Sequence, residues 1–219
     1  MTDVIIVSGG NIQKDFALDF LKKNRTDATC IMAADSGLDF LRETGIEPDV
    51  AVGDFDSLTE AGAAYLGALS HTEILKLTPE KDDSDTQHAV NFAMDRGAER
   101  ILILGATGSR IDHLLANLEL LLLGKKRGVK IALADSKNYV TLIESGMVLK
   151  KQEQFGSYVS FFPLGGDVRG LTLKGFKYPL FEHHLRAEDC GLSVSNEIVE
   201  DTASVEFSGG NLMMLMTRD

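Results

Sequence analysis

The chain has 219 residues, of which 44% are hydrophobic and 25% charged, the balance of an ordinary globular protein with room for one large domain or two smaller ones. Its 33 acidic residues outnumber the 22 lysines and arginines and leave a formal net charge of −11. This charge argues against nucleic acid or an anionic membrane as a partner, and the lack of a long apolar run argues against a membrane-spanning helix.

Short apolar runs alternate with amphipathic ones through the first two thirds of the sequence. The predicted strands are residues 4–7, 30–34, 51–52, 73–77, 100–104 and 130–134. The predicted helices are the segment that contains Phe16, Phe20 and Leu21, then residues 38–44, 59–68 and 85–96, and the leucine-rich segment from Arg110 to Gly124. Such alternation predicts an α/β domain built on a largely parallel sheet.

The pattern changes near Asn138, beyond which no helical period is found. The predicted strands of this part are residues 139–143, 158–162, 171–173, 192–194, 203–207 and 212–216, most of them separated by glycines. Regular short strands with glycine turns predict an antiparallel sandwich. We therefore expect an N-terminal parallel-sheet α/β domain, residues 1–140, followed by a small C-terminal all-β sandwich domain, residues 141–219.

Cysteine usage and the N-terminal sequence both indicate a cytoplasmic protein. Cys30 and Cys190 lie far apart and match no metal-binding spacing, so we expect no disulfide framework. An acid, Asp3, stands where a signal peptide carries bases, and Lys14 and Asp15 interrupt the apolar stretch that follows.

Acidic residues follow four of the strands or loops of the first domain, where parallel sheets bind ligands. The residues of this set are Asp35, Asp54, Asp56, Asp82, Asp83, Asp85 and Asp112. A single Asp before Gly or Ser is usually a turn former or a helix cap. In Asp54-Phe55-Asp56, however, alternate residues of an extended segment point the same way, and the two carboxylates repel unless a cation lies between them. Oxygen ligands without Cys or paired His predict Mg²⁺, with Mn²⁺ as the other possibility.

A loop of small residues after the strand at 100–104 is typical of a phosphate site, because backbone N–H groups and a helix start face an anion there. Its candidate residues are Gly105, Thr107, Gly108 and Ser109, with Arg110 and Lys81 as cations. The loop lacks the Gly-Lys-Ser/Thr ending of a P-loop and is not a dinucleotide fingerprint. Carboxylates and a polyphosphate share a site only through bridging divalent cations, so the two patterns together predict metal-dependent phosphate chemistry.

The same segments resemble the thiamine pyrophosphokinase family. They are ADSG at 34–37, GDFDS at 53–57, EKDDSD at 80–85 and GATGSRIDH at 105–113, followed by GFKYPL at 175–180 and GLSVSNE at 191–197. These blocks occur in family order over almost the whole chain. The resemblance implies an α/β domain that binds ATP and Mg²⁺, a sandwich domain that helps to hold thiamine, and a homodimer with shared active sites. It also implies that ATP and thiamine give AMP and thiamine diphosphate.

The resemblance also implies roles for individual residues. Asp54, Asp56 and Asp85 would hold the metal or stand beside the reacting phosphates, Asp35 and Asp112 would complete the acidic catalytic set, and Lys81 and Arg110 would clamp the phosphates of ATP. His113 is a further candidate for contact with ATP, although a histidine in a first helical turn is more often a cap or surface residue. Tyr178, Ser195 and Asn196 would border thiamine. Tyr178 stands where some relatives carry Trp, and it either stacks on the substrate or packs within the sandwich.

Two other functions remain open. The Asp-Phe-Asp motif would also serve a metal-dependent phosphohydrolase or nucleotidyl transferase, although Leu58 stands where aspartate phosphatases carry Thr or Val. A non-catalytic protein that binds thiamine or a nucleotide is the second possibility. The residue that acts as general base is not predicted.

Overall fold

The computed structural model describes residues 3–78, 83–108, 110–189 and 191–219. They form two compact units, Met1–Ser136 and Lys137–Asp219. The candidates Lys81 and Ser109, together with Asp82 and Cys190, lie outside the described residues.

The first unit is built on parallel strands. In its described part these are β1 (Asp3–Val7), β2 (Cys30–Ala34), β3 (Val50–Gly53), β4 (Glu73–Lys76), β5 (Arg100–Leu104) and β6 (Lys130–Ala134). Their order is β4-β3-β2-β1-β5-β6, with every neighbouring pair parallel. The residues of β2 are all buried, because helices cover both faces of such a sheet and its strands read as continuous apolar runs.

The helices of this unit lie where the sequence predicts them, and those with a predicted start begin within one residue of it. They are α1 (Lys14–Asn24), α2 (Gly37–Thr44), α3 (Glu60–Ala68), α4 (Asp85–Asp95) and α5 (Ile111–Arg127). The prediction that Gly124 ends α5 is wrong, since the helix continues to Arg127 and stops at Gly128, whose φ of 72° is the left-handed cap. Gly124 is needed inside the helix, because a Cβ there would lie 2.6 Å from Cγ1 of Ile131.

The second unit contains antiparallel strands throughout its described part. They are β7 (Asn138–Ile143), β8 (Met147–Lys150), β9 (Tyr158–Pro163), β10 (Val168–Lys174), β11 (Leu180–Leu185), β12 (Thr202–Glu206) and β13 (Leu212–Thr217). Strand β13 pairs with β7 and β9, while β11, β10, β12 and β8 form a four-stranded sheet in that order. One buried core that includes Phe161, Leu171 and Leu212 joins the two sets of strands. The predicted fold class is thus confirmed.

Three details of this unit differ from the sequence prediction. Residues 192–194 form a turn rather than a strand, with Leu192 N donating to Asp189 O at 3.1 Å. Strands β8 and β11 were not predicted. Both are edge strands of the four-stranded sheet, where burial imposes less alternation, and Val148 in β8 is exposed. Phe181 in β11 is 78% exposed.

Among the helices that the structure describes, none is both long and apolar enough to cross a membrane.

Candidate active site

A cavity of about 290 Å³ opens at the carboxyl ends of the strands in the first unit. Its lining comes from the loops after β1, β2 and β5 and from the starts of α4 and α5: Ser8, Gly9, Gly10, Ala34, Asp35, Ser36, Ser84, Asp85, Thr86, Gly105, Ala106, Gly108, Arg110, His113 and Asn117. Strands β1 and β5 are neighbours, and the chain leaves β1 toward β2 on the opposite side. The cavity therefore lies at the switch point of the sheet, where doubly wound folds bind ligands.

Glycines allow the loops after β1 and β5 to meet at this cavity. Gly10 N donates a hydrogen bond to Gly105 O at 2.9 Å, and a Cβ on Gly10 would lie 2.3 Å from that oxygen. Gly105 has a φ of 72°, and a Cβ on it would lie 2.3 Å from Ser8 O. Of the two loops, the sequence analysis assigned only the second to the site. The Ser-Gly-Gly segment directly after β1 is the sequence feature that could have identified the first loop.

Three carboxylates gather at the ends of β2 and β3. One oxygen from each of Asp35, Asp54 and Asp56 lies within 4.8 Å of the others. The two strands are paired in parallel, which brings the residues that follow them together. The predicted reason for the pairing of Asp54 with Asp56 is wrong, however: Phe55 has a φ of 63°, so the segment is a left-handed turn and not extended. Asp56 N donates to Oδ1 of Asp54 at 3.2 Å within this turn.

Strained backbone supports a functional role for this turn. Asp35 has a φ of 49°, a conformation that Asp tolerates, whereas Phe55 is a residue type that rarely adopts a positive φ. A residue held there costs roughly 1–3 kcal/mol and persists where surrounding structure imposes it. Asp39 in α2 holds the chain that follows this turn, because its carboxylate accepts hydrogen bonds from the backbone N of Thr59, at 2.9 Å, and from the Thr59 hydroxyl. Sequence analysis gave Asp39 no role.

The acidic residues repel one another. The nearby carboxylate of Asp54 raises the pKa of Asp56, and burial and the charges of Asp35 and Asp85 raise it further. Asp85 thus faces the same space from the first turn of α4 and also lines the cavity.

The two oxygens of Asp35 differ in their hydrogen bonds. Oδ2 accepts hydrogen bonds from the hydroxyls of Ser57 and Ser36. The other, Oδ1, is buried and accepts none from the described residues.

This donor set fits a hard divalent cation. All candidate ligands are carboxylate oxygens, which Mg²⁺ and Mn²⁺ prefer, and their mutual repulsion is relieved when a cation binds between them. Oδ1 of Asp35 is a buried acceptor without a hydrogen-bond donor among the described residues, which is costly unless a ligand or cation meets it.

Another part of the cavity lining is suited to phosphate. Gly105, Gly108, Arg110 and His113 line it, and α5 begins directly beside it, so that the positive end of the helix dipole lies close by. Thr107 is turned elsewhere, with its hydroxyl donating to the carboxylate of Asp135, and it does not appear in the lining.

Asp112 lies apart from the other carboxylates. It is in the first turn of α5, exposed, and paired with Arg110, whose Nε lies 3.1 Å from Oδ1 of Asp112. The guanidinium holds the pKa of Asp112 below its ordinary value. Asp112 is neither in the three-carboxylate group nor in the cavity lining.

The candidates for thiamine lie in the second unit. Tyr178 is 55% exposed. Ser195 has a φ of 54°, and its backbone N donates to Oγ of Ser160 at 2.9 Å. Asn196 is 1% exposed, and its amide is bonded to the backbone of Tyr178 and Glu197. Its side chain therefore joins two loops of the unit.

The first unit is an open parallel sheet with an acidic cluster and a glycine-lined cavity at its switch point. The second unit is an antiparallel sandwich. Together these features define a two-unit α/β enzyme of the phosphotransferase class. The family model described as thiamin pyrophosphokinase, catalytic domain, matches residues 21–133, and that of the vitamin B1 binding domain matches residues 147–212. The chain belongs to the thiamin pyrophosphokinase family, as its sequence motifs predict.

Individual relatives agree with this assignment. Thiamine pyrophosphokinase of Bacillus subtilis (strain 168) is 34% identical over 226 residues that cover 100% of both chains. The crystal structure of thiamine pyrophosphokinase from Bacillus subtilis has a TM-score of 0.87 and 33% identity and likewise covers 100% of both chains. The yeast enzyme, at 15% identity, supports the fold alone, with a TM-score of 0.81 over 99% of this chain and 86% of the yeast chain.

Proposed function

We propose that this protein transfers pyrophosphate from ATP to the hydroxyl of thiamine, giving thiamine diphosphate and AMP. The observation that carries the proposal is the meeting of the acidic cluster with the glycine-lined cavity, in a chain that matches its family over both units. In this reaction the thiamine oxygen forms a bond to the β-phosphorus of ATP. The bond between that phosphorus and the oxygen bridging to the α-phosphorus breaks, and the hydroxyl proton passes to a base.

The residues of the first unit divide this work. Asp54, Asp56 and Asp85 would hold Mg²⁺, or Mn²⁺ in its place, with Oδ1 of Asp35 directed to the same cation or to the substrate. When bound, the metal neutralises charge on the phosphate oxygens. Arg110 and the N–H groups of the Gly105–Gly108 loop would bind and orient those oxygens, which is the main catalytic requirement of such transfers. One carboxylate of the cluster would accept the proton.

Other parts of the chain complete the proposal. Residues 1–140 would act as the ATP–Mg²⁺ domain and residues 141–219 as the thiamine domain, with Tyr178 and Ser195 bordering the substrate. Lys81, Ser109 and His113 would add contacts to ATP. We propose a cytoplasmic homodimer with shared active sites.

The proposal is tested by incubating the protein with ATP, Mg²⁺ and thiamine and identifying the products by mass spectrometry. We expect AMP and thiamine diphosphate in equal amounts, and no product when a chelator removes the metal. Free phosphate would indicate a phosphohydrolase, and released pyrophosphate a nucleotidyl transferase. Tight binding of thiamine without formation of AMP over hours would indicate a non-catalytic binding protein.

A further inference from the structure

Other parts of the chain fix the backbone of the proposed phosphate loop, Gly105–Gly108. Gly105 O accepts a hydrogen bond from Gly10 N at 2.9 Å. The next carbonyl, Ala106 O, accepts one at 2.9 Å from Nδ2 of Asn117, a buried residue of α5. These bonds set the orientation of the peptide groups of the loop. That orientation decides whether an anion meets N–H groups, which attract it, or carbonyl oxygens, which repel it.

The third residue of the loop, Thr107, is fixed through its side chain. Its hydroxyl donates a hydrogen bond to the carboxylate of Asp135, the residue that follows β6. Strands β5 and β6 are paired in parallel with Leu104 opposite Ala134, so the chain leaves both strands at the same level of the sheet. Neither Thr107 nor Asp135 is among the described residues that line the cavity, and Asp135 is not among the described carboxylates that could share a metal ion. The contact therefore acts on the loop from outside the cavity.

Attraction for ATP does not explain a carboxylate at this place. A negative charge beside a phosphate-binding loop opposes the binding of phosphate by Coulomb repulsion. Positioning of the loop does explain it, because a hydrogen bond to an ionised acceptor is shorter and stronger than one to a neutral acceptor. Transfer between phosphates depends mainly on positioning, and a displacement of about 1 Å can cost about a hundredfold in rate.

We propose that Asp135 is a positioning residue of the transfer, which acts through Thr107 to hold the phosphate loop in the orientation that receives the phosphates of ATP. This role of Asp135 rests on the proposed function, which supplies the phosphates. Thr107, which the sequence predicts as a contact of ATP, supports the loop instead. The carboxylate of Asp135 takes no part in metal binding or in proton transfer.

The test is a double-mutant cycle in the full chain between Asp135→Ala and Thr107→Val, which replaces the hydroxyl by a methyl group of similar size. We expect each single variant to lower kcat/KM for ATP roughly tenfold at saturating thiamine. Thr107→Val should cost nothing further in the Asp135→Ala background, because the hydrogen bond is already absent there. The KM for thiamine at saturating ATP should be unchanged in all variants.

Conservative variants separate the hydrogen bond from the charge. Asp135→Asn keeps an acceptor oxygen and Thr107→Ser keeps a hydroxyl, so both should stay within about threefold of the wild type in kcat/KM for ATP. If Asp135→Asn were as impaired as Asp135→Ala, the charge itself would be needed and the positioning role would be refuted. Losses that add in the double variant would refute it as well.

The matched control is Thr26→Val, which removes a hydroxyl from another loop of the first unit. Oγ1 of Thr26 lies 3.1 Å from Oγ1 of Thr29, just before β2 begins and thus at the amino ends of the strands. This variant should keep the kcat/KM of the wild type for ATP. A fall equal to that of Thr107→Val would show that the loss of any such hydroxyl disturbs the unit, and would overturn the proposal.

Calorimetric titration with ATP and Mg²⁺ in the absence of thiamine probes the loop without turnover. We expect the Kd for ATP to rise in Asp135→Ala and Thr107→Val and to stay near that of the wild type in Asp135→Asn and Thr107→Ser. A lower midpoint of thermal unfolding with unchanged Kd and kcat/KM would mean that the contact serves stability alone, against the proposal. A wild type that binds ATP with this pattern but forms no AMP would refute the proposed activity and leave the role of Asp135 standing.

Discussion

Asp54 lies between Asp35 and Asp56 in sequence and belongs to the same acidic cluster. It follows β3, lies within 4.8 Å of Asp35 and Asp56, and is the main cause of the raised pKa of Asp56. These side chains repel one another in the free protein, and a strained turn holds them together. Such an arrangement is typical of a site that is organised to bind a ligand and not to stabilise the fold.

Replacing Asp54 by Ala should abolish turnover and spare the fold. We expect a loss of at least about a thousandfold in kcat at saturating Mg²⁺, because a metal ligand beside the transferred phosphoryl group is lost. Steady-state assays of AMP formation measure this, alongside thermal unfolding. Asp95→Asn is the control, since Asp95 forms an exposed ion pair with Arg127, their Oδ1 and Nη2 lying 2.6 Å apart. Normal activity of Asp54→Ala would refute the metal assignment.

Replacing Asp56 by Asn should stabilise the metal-free protein at neutral pH. The raised pKa of Asp56 means that its charged form is disfavoured in the folded state, so the native state binds more protons than the unfolded one and stability falls as pH rises through the folded pKa. The midpoint of thermal unfolding in the presence of a chelator should therefore be higher for Asp56→Asn. The difference should vanish at acidic pH. Added Mg²⁺ should raise the midpoint of the wild type more than that of the variant; equal shifts would contradict a role for Asp56 in metal binding.

Among the elements, α5 shows how tertiary packing overrides helix propensity. The helix passes through Gly124 because β6 lies close against it, with Ile131 Cγ1 2.6 Å and Val129 O 2.8 Å from where a Cβ would be. The same helix presents its first turn to the cavity, so its placement against the sheet and the position of the phosphate loop are linked.

Gly124→Ala should destabilise the protein, although Gly→Ala inside a helix is ordinarily favourable. We expect a loss of about 1–3 kcal/mol in the free energy of unfolding, because the methyl group overpacks against β6. The matched control is Gly67→Ala in α3, where a Cβ would meet nothing within 4 Å and stability should rise by up to about 1 kcal/mol. Urea denaturation measures both variants. A neutral or stabilising Gly124→Ala would show that the contact relaxes freely.

At the scale of the whole molecule, each unit carries part of the proposed site, and the proposed dimer makes a separate prediction. If one subunit supplies the acidic cluster and its partner the thiamine subsite, a heterodimer of Asp54→Ala with Tyr178→Ala has one intact site. At thiamine concentrations far below KM, where Tyr178→Ala should turn over little and Asp54→Ala none, co-expression should restore about a quarter of wild-type activity for statistical mixing.

The control for this mixing experiment is co-expression of Asp54→Ala with Asp85→Ala. Both substitutions lie in the acidic cluster of the first unit, so each of the two sites of the heterodimer contains one of them. No activity should therefore return. Sedimentation should show a dimer in all cases. A monomer with full activity would contradict the shared-site proposal.

The class of fold and the family were readable from the sequence because both depend on local patterns. Strands buried on both faces are visible as continuous apolar runs, and helices are visible by the period of their apolar residues. Each family motif is a single contiguous segment of the sequence. The edge strands β8 and β11 were missed because an edge imposes no such pattern.

Tertiary structure alone decided which residues meet. Gly10 and Gly105 come from loops far apart in sequence, Phe55 is held at a positive φ, and the amide of Asn196 is bonded to the backbone of Tyr178. The sequence specifies the chemistry that each residue carries. Its neighbours are set by long-range packing, which no local pattern records.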